Sequence, residues 1–186
     1  KQSTVAILDE LEIRYPNLSK LKGNILNAYL IMENAYKKEK KLLLCGNGGS
    51  AADSEHVVGE LLKSFKKCRK INENVCEALD DFGENGSLLK NTLEGSLRAI
   101  SLTSHLSLST AFSNDKEPSV VFAQQLYGLA DKGDVLVAFS TSGNSKNCVL
   151  AATLAKVMGV KVISLTGKNE SKLSKLSDVV INVPET

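Results

Sequence analysis

Val135-Leu136-Val137-Ala138-Phe139-Ser140-Thr141-Ser142-Gly143-Asn144-Ser145 carries both a strand and the turn that ends it. Five consecutive apolar residues suit a strand covered on both faces, as in a parallel sheet. The residues that follow are small and polar, and Ser145 opens a run with helical spacing. The hydroxyls of Ser140, Thr141, Ser142 and Ser145 therefore crowd onto one helix N-terminus. One hydroxyl suffices for a cap, so the surplus points to a ligand. Hydroxyls, free backbone N–H groups and the helix dipole together suit a phosphate dianion without a cationic side chain.

Outward from this stretch the same grammar repeats. Apolar runs at 42–45, 99–102, 160–165 and 179–183 alternate with helical segments at 51–65, 119–131, 145–158 and 171–176. The series predicts an α/β fold, a doubly wound five-stranded parallel sheet flanked by helices, with ligands at the carboxyl ends of the strands. Ahead of it, residues 1–40 predict N-terminal helices, one over 4–15 and one capped by Asn17 or Ser19 and reaching Lys38. The second carries a seam of Leu21, Ile25, Ala28, Met32 and Ala35, which suits another helix, in part from a partner subunit. Residues 66–97 are polar and glycine-containing and predict an insertion with short helices, within a single domain covering 1–186.

Composition narrows the function. Hydrophobic residues at 42% and charged residues at 24% fit one soluble core, and a net charge of +2 gives no bias toward nucleic acid. The lysine clusters at 37–41 and 63–70 have no interleaved aromatics and are followed by acids, so they read as solvated helix ends or loops. No apolar run is long enough to span a membrane, and no signal pattern opens the chain. Cys45, Cys68, Cys76 and Cys148 form no CxxC pair and read as reduced thiols of a cytoplasmic protein.

Three further groups are candidates. Gly46-Asn47-Gly48-Gly49-Ser50 follows the first strand; its glycines allow close backbone approach and Ser50 can cap the next helix. A plain tight turn and a ligand loop, with Asn47, Gly48, Gly49 and Ser50 as binders, stand even on this stretch alone. His56 and Glu60 are four apart and share a helix face among Val57, Val58, Leu61 and Leu62, either as a solvated pair or as site residues. Asn114-Asp115 follows a strand and reads equally as a turn before Pro118 or as a hydroxyl-binding pair; His105 reads as a helix start.

In order and spacing, Gly46-Asn47-Gly48-Gly49-Ser50, Ser140-Thr141-Ser142-Gly143-Asn144-Ser145 and Leu165-Thr166-Gly167-Lys168 resemble the sugar isomerase (SIS) domains, which have a flavodoxin-like fold. With His56 and Glu60 the chain looks like the phosphoheptose isomerase branch over residues 20–184. That resemblance implies a phosphorylated sugar as ligand, sedoheptulose 7-phosphate or a similar ketose phosphate, and aldose–ketose isomerisation without a required cofactor. It implies Glu60 as the proton-transfer group, His56 beside it, Asp115 on substrate hydroxyls, and a homotetramer with sites between subunits. In some members the positions of His56 and Glu60 contribute to a zinc centre, here a partial site of two ligands. The family's second catalytic group is a histidine on a C-terminal helix, with a glutamine ahead of it. This chain ends at Thr186, so that helix is expected to be absent, and the 66–97 insertion exceeds the family's connection and could change the substrate. The rival reading is a non-catalytic SIS module that senses a phosphosugar or scaffolds a partner. A sugar-responsive transcription factor is disfavoured, since the segment before Lys41 is too short for a helix-turn-helix domain.

Overall fold

Aliphatic runs bounded by glycine and small polar residues become strands, each within one residue of its expected bounds. The computed structural model describes residues 2–184. In it these runs form β1 (Leu42–Cys45), β2 (Ala99–Ser101), β3 (Val135–Phe139), β4 (Lys161–Thr166) and β5 (Val179–Asn182). All pairings are parallel, in the order β2-β1-β3-β4-β5. Leu42 stands opposite Ala99 on one side and Val135 on the other. The chain thus runs outward from β1 to β2 and returns past β1 to β3. Strand order reverses between β1 and β3, the place where such sheets open a crevice at their carboxyl ends.

The pleat sends alternate residues to opposite faces. Leu43 and Cys45 join Leu136, Ala138 and Val162 in a core closed by α7 (Val121–Leu129), α8 (Lys146–Met158) and the short α9 (Lys172–Leu176). Leu42 and Leu44 join Val137 and Ile163 under α2 (Lys22–Lys37) and α3 (Gly49–Leu62). Between α2 and α3 runs an apolar groove of about 720 Å³, lined by Met32, Val57, Leu61, Val137, Ile163 and Ile181 among others.

Three expectations need correction, and that for the seam on α2 needs qualification. The helix capped by Asn17 or Ser19 is replaced by a 3-10 turn over Pro16–Leu21 after α1 (Gln2–Arg14), and α2 starts at Lys22 with no side-chain cap. Pro16 at the first position of that turn fixes its backbone and delays the α-helix. Part of the seam on α2 packs on the chain's own sheet: Ala28 and Ala35 are buried there, their small side chains letting the helix approach closely, while Leu21, Ile25 and Met32 are only half-buried. Lys41 is not solvated. Its side chain is 8% exposed, with Nζ 2.7 Å from Asp134 and 2.8 Å from Asp131. Asp134 is fully buried and already accepts the Lys41 and Asp131 N–H groups at 3.0 and 2.8 Å, so a buried cation must balance it. Finally, Asn114-Asp115 does not follow a strand; it ends a helix, α6 (Leu106–Asp115), with His105 at its N-cap.

Residues 66–97 form α4 (Glu73–Ala78), a 3-10 turn and α5 (Gly83–Thr92). Arg69 clamps its base by donating to the carbonyls of Gly95, Leu61 and Lys63 at 2.7–2.8 Å, which also closes the end of α3. All four cysteines are free thiols. Cys45 and Cys148 are buried side by side, and their mutual hydrogen bond, with burial, pushes the Cys45 thiol up. Among the described residues no helix is long and apolar enough to cross a membrane.

Candidate functional site

Three strand-to-helix loops meet at the carboxyl ends of β1, β3 and β4. In the loop after β3, Ser145 occupies the N-cap of α8 but makes no side-chain cap bond. Its hydroxyl instead accepts from Ser140 Oγ at 3.0 Å. Gly143 has φ +63° and packs against Ser171, where any Cβ would overlap the Ser171 hydroxyl. This brings α9 onto the loop: Leu173 N–H donates to Gly143 O at 3.0 Å and Lys172 N–H to Asn144 Oδ1 at 3.1 Å. The loop after β4 is tied in by Gly167 N–H donating to Thr141 O at 2.8 Å.

In the loop after β1, a Cβ on Gly46 would lie 2.6 Å from Ser50 O, and Gly48 has φ +56°, so glycine is required at both. Asn47 reaches across to α8, where it exchanges two hydrogen bonds with Asn147. Gly49 and Ser50 begin α3, beside the other two loops.

These loops enclose a cavity of about 270 Å³ whose polar lining is Ser50, Ser140, Thr141 and Thr166, with Gly167 and apolar Phe139, Leu165 and Val183. Its floor, Phe139 and Leu165, is shared with the larger groove between α2 and α3. That groove is almost wholly apolar and does not suit a sugar phosphate; the smaller, hydroxyl-lined cavity does.

The expected residues do not all converge on it. Ser50, Ser140 and Thr141 line the cavity, and Ser145 touches it through Ser140. Ser142 Oγ accepts the Asn144 N–H at 3.2 Å and shapes the loop from outside. Asp115 is exposed and accepts from its neighbour Asn114 at 2.9 Å. His56 and Glu60 lie outside the lining, Glu60 about 15 Å along α3 from Ser50 at 1.5 Å per residue. His56 is exposed, whereas Glu60 is half-buried. Glu60 Oε1 is 3.3 Å from Lys63 Nζ, and Oε2 is buried with no hydrogen-bond partner among the described residues.

Sequence reading missed Thr166, Asn147, Ser171 and Asn182. Thr166 Oγ1 accepts from Asn182 Nδ2 at 2.8 Å, which fixes the rim of the cavity. The Leu165-Thr166-Gly167-Lys168 turn was the one local signal for these. As to zinc, no group of three or more His, Cys, Asp or Glu side chains converges among the described residues. His56 and Glu60 offer two ligands where zinc takes three or four from protein, so the residues present do not fit the ion and no step is derived through it.

A family model described as SIS domain matches residues 99–186. The chain is 40% identical over 166 residues to the phosphoheptose isomerase of Nitratiruptor sp., covering 89% of this chain and 75% of that protein. It is 35% identical over 167 residues to the phosphoheptose isomerase of Akkermansia muciniphila, covering 90% and 75%. Among solved structures, a phosphoheptose isomerase from Neisseria gonorrhoeae is similar with a TM-score of 0.73 at 31% identity, covering all of this chain and 86% of that one. With loops, sheet order and relatives in agreement, the chain belongs to the phosphoheptose isomerase family of SIS domain proteins.

Proposed function

We propose that this chain isomerises a seven-carbon ketose 7-phosphate, sedoheptulose 7-phosphate or a close analogue, to the aldose phosphate. The observation that carries this reading is the α8 N-terminus: no side chain caps it at Ser145, and small hydroxyls from the neighbouring loops face the same cavity. That arrangement leaves the helix dipole, and first-turn N–H groups other than that of Cys148, to an anion. Ser140, Thr141 and Ser145 hold the phosphate, on a loop that Ser142 shapes. Asn47, Gly48, Gly49 and Ser50 bind the sugar, with Asp115 on its hydroxyls. The reacting carbons are C1 and C2, at the opposite end from the phosphate, so the base stands away from the serine loop. Glu60 fills that role: its unpartnered buried Oε2 is an acceptor without a structural occupation, and partial burial suits a carboxylate base. It removes a proton from C1, giving the enediolate. Return of a proton to C2 and transfer of the hydroxyl proton from O1 to O2 complete the aldose. His56 lies one turn away on the same face and supports that exchange.

The protein acts as a homo-oligomer, a tetramer with sites between subunits, in the cytoplasm. Its four free thiols support a reducing compartment. Glu60→Gln tests the mechanism. Turnover should fall by about 10²–10⁴-fold with sugar-phosphate binding retained, because Gln keeps the shape but takes no proton. Wild-type turnover in the variant removes Glu60 from the mechanism. Binding without turnover in the wild type itself favours the phosphosugar-sensing module.

A further inference from the structure

Asn47, in the loop after β1, and Asn147, in the first turn of α8, lie 100 residues apart in sequence and exchange two amide hydrogen bonds. Asn47 Nδ2 donates to Asn147 Oδ1 at 2.9 Å, and Asn147 Nδ2 donates back to Asn47 Oδ1 at 2.8 Å. Asn147 Oδ1 also accepts the Cys148 N–H at 3.0 Å, which locks that side chain onto the start of α8. The second hydrogen of Asn47 Nδ2 faces Cys148 Sγ at 3.9 Å. An amide has two donor hydrogens and two acceptor lone pairs. On Asn47 the clasp therefore leaves one lone pair of Oδ1 and nothing else.

We infer that Asn147 is a positioning residue of the phosphosugar site, an inference that rests on the reading of both loops as holding one ligand. It holds the 46–50 loop against the serine-loop helix, so that Ser50 and the serine hydroxyls face the same molecule. It also makes Asn47 an acceptor only, suited to a sugar hydroxyl and not to the phosphate. The loop needs such a tie. Gly46 and Gly48 make it costly to order, and its own bonds, Ser50 N–H to Asn47 O and Ala51 N–H to Gly48 O, are local. A pair of parallel amide bonds fixes orientation as well as distance.

The test uses the whole chain with Asn147→Ala, Asn47→Ala and the double variant, together with Asn147→Ser. The serine variant keeps an acceptor for the Cys148 N–H but does not span to Asn47, so it serves if the alanine variant folds poorly. Amide hydrogen exchange without ligand should quicken about tenfold or more across 46–50 and stay unchanged in β3, as for loss of a tie of this size. By calorimetry, sedoheptulose 7-phosphate should bind about tenfold more weakly, while inorganic phosphate, which needs only the serine loop, stays within about twofold. The double variant should be no weaker than Asn47→Ala alone, which already loses both the clasp and the Asn47 acceptor. Unchanged exchange at 46–50, equal losses for phosphate and sugar phosphate, or additive single effects would each overturn the positioning role. A wild type that binds inorganic phosphate but no sugar phosphate overturns the phosphosugar reading, and the positioning role with it. Normal wild-type binding with unchanged binding in the variants overturns the positioning role alone.

Discussion

Ser140 is 4% exposed, yet its hydroxyl donates to another hydroxyl, that of Ser145, and not to a backbone carbonyl. A buried hydroxyl partnered only by a second one at a helix start is poised to turn toward an anion. Ser140→Ala should therefore weaken sugar-phosphate binding by about 1.5–3 kcal/mol, the worth of a hydrogen bond to a charged group. The loop itself should persist, since the Gly143 carbonyl and the Asn144 side-chain oxygen are tied to α9 and the Thr141 carbonyl to the loop after β4. Calorimetry beside a thermal melt checks this: equal affinity in the variant removes Ser140 from the site, and a collapsed melt makes it structural. The serine loop was legible because its signal is local, a surplus of hydroxyls within six residues. Thr166 and Asn147 were not. Their roles come from Asn182 and Asn47, 16 and 100 residues away; the turn at 165–168 marks the place of Thr166 but not its partner, and nothing beside Asn147 marks it.

At the scale of elements, β5 is an edge strand whose approach is fixed by Asp178. That carboxylate accepts the Val162 N–H at 2.9 Å and faces Lys161 Nζ at 2.8 Å. Burial alone would raise its pKa, but the bonds from Lys161 and Val162 outweigh this and hold it below the ordinary 3.8. A depressed folded-state pKa adds stability above the unfolded value and loses it as pH falls through the folded one. Asp178→Asn should thus cost of order 1 kcal/mol at neutral pH, and the gap from wild type should close progressively below pH 3.8. Urea unfolding across that range measures it; a gap independent of pH means the charge of Asp178 is not what holds β5. The strands themselves were legible because both faces are covered and the aliphatic runs are unbroken. Helix α6 was not. Leu108 and Phe112 give it one apolar contact per turn, but Ser107, Ser109, Thr110 and Ser113 around them favour turns in isolation. Packing overrides that preference, and Thr110 Oγ1 turns back to the Leu106 carbonyl at 2.9 Å.

For the whole molecule the open question is where the sugar end of the substrate meets its base. The serine cavity and Glu60 stand about 15 Å apart along α3. The surface of the N-terminal helices is unusually apolar for a free exterior: Val5 is 50% exposed, Ile7 65%, Ile13 79% and Leu30 44%. Exposed apolar side chains of this kind suit a contact between copies, and Val5 and Leu30 line one shallow pocket between α1 and α2. An assembly in which α3 of one subunit approaches the serine loop of another would close the 15 Å gap. Mixing two disabled forms distinguishes shared from self-contained sites. A Glu60→Gln subunit keeps a sound serine loop, and a Ser140→Ala subunit keeps its carboxylate. If each site draws the loop from one subunit and the base from its neighbour, random co-assembly restores roughly a quarter of the sites, since each wild-type contribution arrives with even chance. Activity in the refolded mixture should then exceed that of either variant alone at low substrate. A mixture no better than the average of its two components would mean that loop and base act within one chain, and that the apolar face of α1 and α2 serves assembly without completing the site.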